Sequence, residues 1–150
     1  MDDDDTNTVV SILNQILEQE LAGVVRYTHY SLLVFGYGRI PIVSWLRAQA
    51  DEALLHAQQA GEMITMLGAY PSLKIGPLLD SHNFEIGTIL RESAEAEAEA
   101  LALYRRLLAA VDGKSVTLEE YARQMIYAEE VHASDVDKML RRPGELTSAA

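Results

Sequence analysis

The 150-residue chain has no cysteine, which excludes disulfides, iron–sulfur clusters and thiolate metal sites. Carboxylate and imidazole are then the only strong metal ligands left. No uninterrupted apolar run reaches the roughly 18–20 residues a transmembrane helix needs. The start, Met1-Asp2-Asp3-Asp4-Asp5, is the opposite of a basic signal-peptide start. A cytoplasmic protein with no membrane partner is therefore expected. Basic residues are few, 12 against 23 acidic ones, and the net charge of −11 should repel nucleic acid and draw small cations. Strand periodicity is absent. Apolar residues make up 49% of the chain, enough for one domain with its own core and against intrinsic disorder.

What is present is helical periodicity. A first helix is expected from Asn7 or Thr8 to about Phe35, with an inner stripe of Leu13, Leu17, Glu20, Val24 and Tyr27. Gly36-Tyr37-Gly38 ends it. A second helix runs from about Pro41 to Leu67, with Trp45, Ala48, Glu52, His56, Ala60 and Met63 on its stripe. Its facing is less certain, because a step of four from Trp45 lands on the polar Gln49. Residues 68–82 contain two glycines and two prolines and read as a long connection. A third helix spans about Asn83 to Val111, with Ile86, Leu90, Ala94, Glu97, Leu101, Tyr104 and Leu108 inward. A fourth, capped by Thr117 with Glu120, carries Tyr121, Met125, Glu129, His132 and Val136 and stops before Pro143. The expected organisation is an acidic disordered tail at 1–6, an all-α four-helix bundle at 7–142 with one long crossover, and a frayed tail at 143–150.

The informative feature is what interrupts the stripes. Each helix carries one Glu on its apolar face: Glu20, Glu52, Glu97 and Glu129. On two helices a His follows one turn later, His56 and His132. Burying an unpartnered carboxylate costs several kcal/mol or more, on the order given by ion desolvation. Four such misfits, one per helix, point to a dinuclear metal site in the bundle interior. The halves also repeat: Glu20 and Glu97, Tyr27 and Tyr104, and Glu52 and Glu129 are each 77 residues apart, and His56 and His132 are 76 apart. Two similar hairpins packed about a pseudo-two-fold axis would bring these residues together. Four carboxylates and two neutral imidazoles balance two divalent cations, so metal binding should be coupled to stability.

The motifs Glu20-x6-Tyr27, Asp51-Glu52-Ala53-Leu54-Leu55-His56-Ala57-Gln58, Glu97-x6-Tyr104 and Glu129-Glu130-Val131-His132 resemble the ferritin-like superfamily, bacterioferritins and their short relatives most closely. The resemblance covers roughly residues 8–140. It implies a ferritin-like bundle with the crossover between the second and third helices, holding two iron ions, with manganese or zinc as substitutes. It implies oxidation of Fe(II) by oxygen or peroxide. By that pattern Glu20 and Glu97 are terminal ligands, Glu52 and Glu129 bridge, and His56 and His132 serve one metal each. Tyr27 and Tyr104 are either core aromatics with bonded hydroxyls or donors and radical scavengers beside the iron. Association as a homodimer or larger homo-oligomer is implied as well.

Three features depart from the family pattern. Its second-helix motif is Glu-x-x-His, whereas here Ala53 stands three before His56 and Glu52 four before. A regular helix would turn Glu52 away from a bridging position, and a local bulge would restore it. Ala53 and Leu54 stand where haem-binding members have a Met, so haem is not expected. Only 18 residues follow His132, and they include Pro143-Gly144, so no full fifth helix is expected. Two further readings stay open: a rubrerythrin-like di-metal oxidase or peroxidase without iron storage, and a non-catalytic metal-binding bundle. His29 and His82 lie off the pattern and read as surface residues or caps, and Trp45 reads as packing.

Overall fold

The computed structural model describes residues 1–147 as four long helices. They are α1 (Asp3–Leu33), α2 (Arg39–Met66), α3 (Ile86–Val111) and α4 (Val116–Leu140), and no strand occurs among the described residues. Helix α1 packs against both α2 and α3, and α3 packs against α4. Tight turns close the α1–α2 and α3–α4 hairpins, and residues 67–85 cross the length of the bundle between them. None of these helices is long and apolar enough to cross a membrane.

The helix ends follow local chemistry that differs in places from the expected boundaries. Helix α1 begins at Asp3, not near Asn7 or Thr8. Asp2 caps it by accepting from the Asp5 backbone N–H at 2.8 Å. Asp3, Asp4 and Asp5 then sit in the first turn, where the helix dipole favours negative charge. Lys114 reaches Asp5 at 2.7 Å from the α3–α4 turn. Four acidic residues that read as a tail thus become the start of a helix. No basic residue occupies the last turn of α1. Arg39, opening α2, instead donates to the carbonyls of Val34 and Ser31 at 2.8 and 3.3 Å. Helix α4 is capped by Ser115, whose hydroxyl accepts from Leu118 N–H, so the expected Thr117–Glu120 box does not form. The expected C-terminal tail, 143–150, extends beyond the described residues at 148–150. Within 143–147 the chain turns back, and Arg141 donates to the Leu146 carbonyl.

The crossover lies directly on α1. Gly76 N–H donates to the Glu18 carbonyl at 2.8 Å, and a Cβ at position 76 would stand 3.1 Å from that oxygen. Glycine permits this close approach of two backbones. Ser72 N–H bonds the Asn14 side chain at 2.8 Å further along.

The core is divided. One apolar cluster holds Leu13, Ile16, Ile64, Tyr104, Leu107 and Leu118, and a second holds Tyr27, Tyr30, Leu46 and Ile89. The Glu and His positions fall between them along α1, α2 and α3, and on α4 they follow the residues of the first cluster. Leu107 is fully buried in the first cluster, so Leu107→Ala should cost about 2–5 kcal/mol of stability by lost burial and a residual cavity. Chemical denaturation of the parent and variant measures this directly.

Candidate metal centre

Regular helices with their apolar faces together bring the interrupting residues into one layer. Glu20, His56 and Glu129 come from α1, α2 and α4, are all buried, and each offers a ligand atom within 4.8 Å of the others. His56 Nδ1 lies 3.6 Å from Glu20 Oε2 and 3.5 Å from Glu129 Oε1, while its Nε2 lies 3.6 Å from Glu52 Oε1. Glu97 and His132 line the same small cavity, as do Glu52, Gln49 and Ala53.

Two tyrosines brace this layer from opposite sides. Tyr27 of α1 donates to Glu97 of α3 at 2.8 Å, and Tyr104 of α3 donates to Glu20 of α1 at 3.0 Å. The crossed pair is the internal repeat made physical: each tyrosine belongs to one apolar cluster and sends its hydroxyl to the other half's carboxylate. Burial and the adjacent carboxylate hold both phenols well above their ordinary pKa, so they remain donors. Tyr27 also lies 3.4 Å from His132 Nε2, and the His132 ring stacks on Trp45 at 5.9 Å, nearly parallel.

The six expected ligands do not converge equally. Helix α2 remains regular through 52–56, with no bulge, and the Glu52 side chain is 48% exposed while Glu20 and Glu129 are almost fully enclosed. The one-residue shift relative to Glu-x-x-His explains this. Ala53 occupies the inward position, and its small side chain leaves that wall of the cavity without a donor. Sequence reading missed two neighbours of the site. Gln49 stands seven residues before His56, on the same helix face, and the broken apolar step at 49 was its signal. Trp45 looked like plain packing, and no pattern in the sequence ties it to His132.

The electrostatics are those of an anionic cluster whose one contributing fixed cation, Arg26, acts on Glu97 from outside the cavity. No Lys or Arg lines the cavity. Burial raises the Glu20 pKa, against an opposing hydrogen bond from His56. Burial likewise drives Glu129 up, helped by Glu97 and Glu20 and opposed by His56, to about 9. Burial lowers the His56 pKa, but the hydrogen bonds and charges of Glu129 and Glu20 outweigh it and push it up to about 10. Burial also raises Glu97, yet its bonds to Glu129 and Tyr27 and the charge of His132 bring it below its usual value. A proton on His56 thus adds positive charge to the cluster, and a proton on Glu129 removes negative charge from it.

These residues fit a divalent cation. Oxygen and nitrogen donors around one ion, with bonds of about 2.0–2.2 Å, stand roughly 3–3.5 Å apart, close to the His56–carboxylate distances of 3.5 and 3.6 Å. Glu129 Oε2 is buried with no hydrogen-bond partner, a position for the proton this carboxyl retains or for a cation that displaces it. The free space is about 10 Å³, on the scale of a water or an ion and not of an organic molecule.

The proton affinities set a pH dependence. The folded chain holds these protons more tightly than the unfolded chain, so stability of metal-free protein must fall as pH rises. The His56 contribution is complete below its ordinary value of 6.5 and is lost by about 10. That of Glu129 declines between its ordinary 4.5 and about 9. Chelator-treated protein should therefore show a declining denaturation midpoint between pH 6.5 and 9, largely restored by divalent metal. A midpoint that is flat or rises across that window would contradict this electrostatic account.

The comparisons with known proteins agree with the four-helix fold. A ferritin-like di-iron carboxylate protein from Bacillus anthracis str. Ames superposes with a TM-score of 0.84 at 22% identity, covering 94% of this chain and 100% of that one. The bacterioferritin of Rhodobacter capsulatus gives 0.81 at 22%, covering 89% and 84%. The DPS protein of Vibrio cholerae O1 gives 0.86 at 13%, covering 94% of each. At such identities the likeness shows the fold alone. No curated protein matches the chain. The ferritin-like domain model matches residues 10–143, which takes in all of α2, α3 and α4, most of α1, and every acid and imidazole that lines the cavity. The chain belongs to the ferritin-like family.

Proposed function

We propose that this protein is a di-iron carboxylate ferroxidase, oxidising Fe(II) with oxygen or peroxide for iron storage or detoxification. The observation that carries the reading is the buried triad Glu20, His56 and Glu129, with no Lys or Arg in the cavity they share with Glu52, Glu97 and His132. Solved structures of the same fold are described as di-iron carboxylate proteins and bacterioferritins, which supports iron as the ion. Glu20 and Glu97 would serve as terminal ligands, Glu129 as the shared carboxylate, and His56 and His132 as one imidazole per ion, while the half-exposed Glu52, turned from the expected bridging position by the regular helix, would reach only the second ion. Bound iron supplies the electrons that reduce the oxidant.

The chain's own residues do the rest. Tyr104 and Tyr27 hold the Glu20 and Glu97 carboxylates at fixed orientations by donating to one oxygen each, which leaves the second oxygen for a cation. His56 and Glu129 release their protons as cations enter, so loading is favoured by rising pH. The apolar clusters confine the layer on two sides and leave it open to solvent where Glu52 is half exposed.

Iron as substrate enters an uneven centre. The enclosed triad presents three donors, whereas Glu52 is half exposed. The first Fe(II) should therefore bind more tightly than the second. This unevenness is also the one observation favouring a second reading, a single-ion site. Anaerobic Fe(II) titration followed by air should give two ions per chain in unequal steps and a ferric charge-transfer band. One ion per chain would select the single-ion reading, and no band would remove the ferroxidase reading. Glu129→Gln should weaken first-ion binding by more than the roughly 10–100-fold typical of losing an outer hydrogen-bonding partner. Tyr104→Phe should fall within that range, and Glu52→Gln should act mainly on the second ion.

A homo-oligomer is part of the proposal. Val25 and Leu32 on α1 and Leu79 and Phe84 near the end of the crossover expose large apolar side chains, a pattern suited to association. A related fold is described as a dodecameric thioferritin. Light scattering should return a mass well above the 16.6 kDa chain, and a monomer would count against the storage role.

A further inference from the structure

The crossover is fastened to α1 unevenly. Its first half is held by the backbone bond of Gly76 to Glu18 and by Ser72 on Asn14. Beyond Gly76 the fastening passes to side chains: Asn83 donates to Glu92 of α3, and His82 meets His29 of α1. The two imidazoles approach through Nδ1 of His82 and Nε2 of His29, 3.2 Å apart, with ring centroids 5.1 Å apart and planes inclined by 55°. Both border a cavity of about 160 Å³ lined also by Val25, Arg26, Tyr30 and Leu79, on the flank of α1 facing the crossover.

We propose that His29 and His82 form a second metal site, a two-imidazole clamp for a borderline transition-metal ion of the zinc, copper or nickel type, completed by water. Two nitrogens 3.2 Å apart have the separation of two ligands on one ion: with bonds of about 2.0–2.1 Å they subtend roughly 100° at the metal. That angle lies between octahedral and tetrahedral geometry. The rings come from segments 53 residues apart, so an ion held between them staples the crossover to α1 and closes a long loop. Neutral imidazole suits zinc, copper and nickel better than magnesium or calcium. The chain's strong negative charge lowers the cost of concentrating a cation near its surface. Arg26 borders the cavity, but its guanidinium lies over the Tyr27 ring at 5.3 Å, which stabilises its own charge. The clamp is separate from the interior layer, whose carboxylates contact neither histidine, and it stands whether or not the ferroxidase reading does.

Zinc(II) alone is the probe. Calorimetric titration of the full chain should give one more zinc per chain than His29→Gln or His82→Gln, with the remaining sites unchanged in affinity. Hydrogen exchange should show zinc-dependent slowing of amides 77–84 in the parent chain and not in either variant. Equal zinc stoichiometry in the parent and both variants would mean that the pair is only an N–H···N hydrogen bond, and would overturn the proposal. So would zinc-dependent protection of 77–84 that survives both substitutions.

Discussion

The bundle is organised around unbalanced charge: the carboxylates of Glu20, Glu97 and Glu129 enter the interior, Glu52 borders it half exposed, and no lysine or arginine lines the cavity they share. In a low-dielectric interior an unpaired carboxylate is among the costliest groups a fold can hold. Without a metal the structure meets that cost with protons, on His56 and Glu129, and with hydroxyl donors from Tyr27 and Tyr104. The protons lower the net negative charge, and the hydroxyls satisfy one oxygen each of Glu97 and Glu20. A polar layer stabilised in this way is tolerable but improvable, which is the condition under which divalent ions bind tightly.

The surrounding architecture keeps the layer thin. An apolar cluster lies on each side of it, one including Tyr104 and the other Tyr27. The tyrosines are large enough to pack as core residues and long enough to end in the polar layer. Their bonds cross between α1 and α3, so the same contacts that orient two carboxylates also join the hairpins. Packing and ligand positioning are not separable here: moving α1 relative to α3 would break both hydrogen bonds together.

The pseudo-two-fold symmetry is incomplete, and the reason is local. In the α1–α2 half, Glu52 precedes His56 by four residues, while in the α3–α4 half Glu129 precedes His132 by three. On a regular helix, one residue is 100° of rotation. The side chain of Glu129 is therefore enclosed while that of Glu52 is half exposed, and Ala53 faces the cavity with nothing to donate. One inserted position is enough to expose the acid of one half while that of the other stays enclosed.

The composition and periodicity of the chain determined the helical class, the four elements, the long crossover and the identity of the interrupting acids. These follow from local rules: which residues tolerate burial, which share a helix face, and which end a helix. Helix starts were less legible, because an acidic run such as Asp2–Asp5 reads as solvated until a cap and Lys114 draw it into a first turn. Only the tertiary structure decided how far each acid reaches the centre, that Trp45 stacks on His132, that Gln49 borders the cavity, and that His29 meets His82 across 53 residues. Those contacts depend on the rotation of one helix about its axis and on the path of a loop with no periodicity. Neither is written in spacing along a single element, since both are set by what the element packs against.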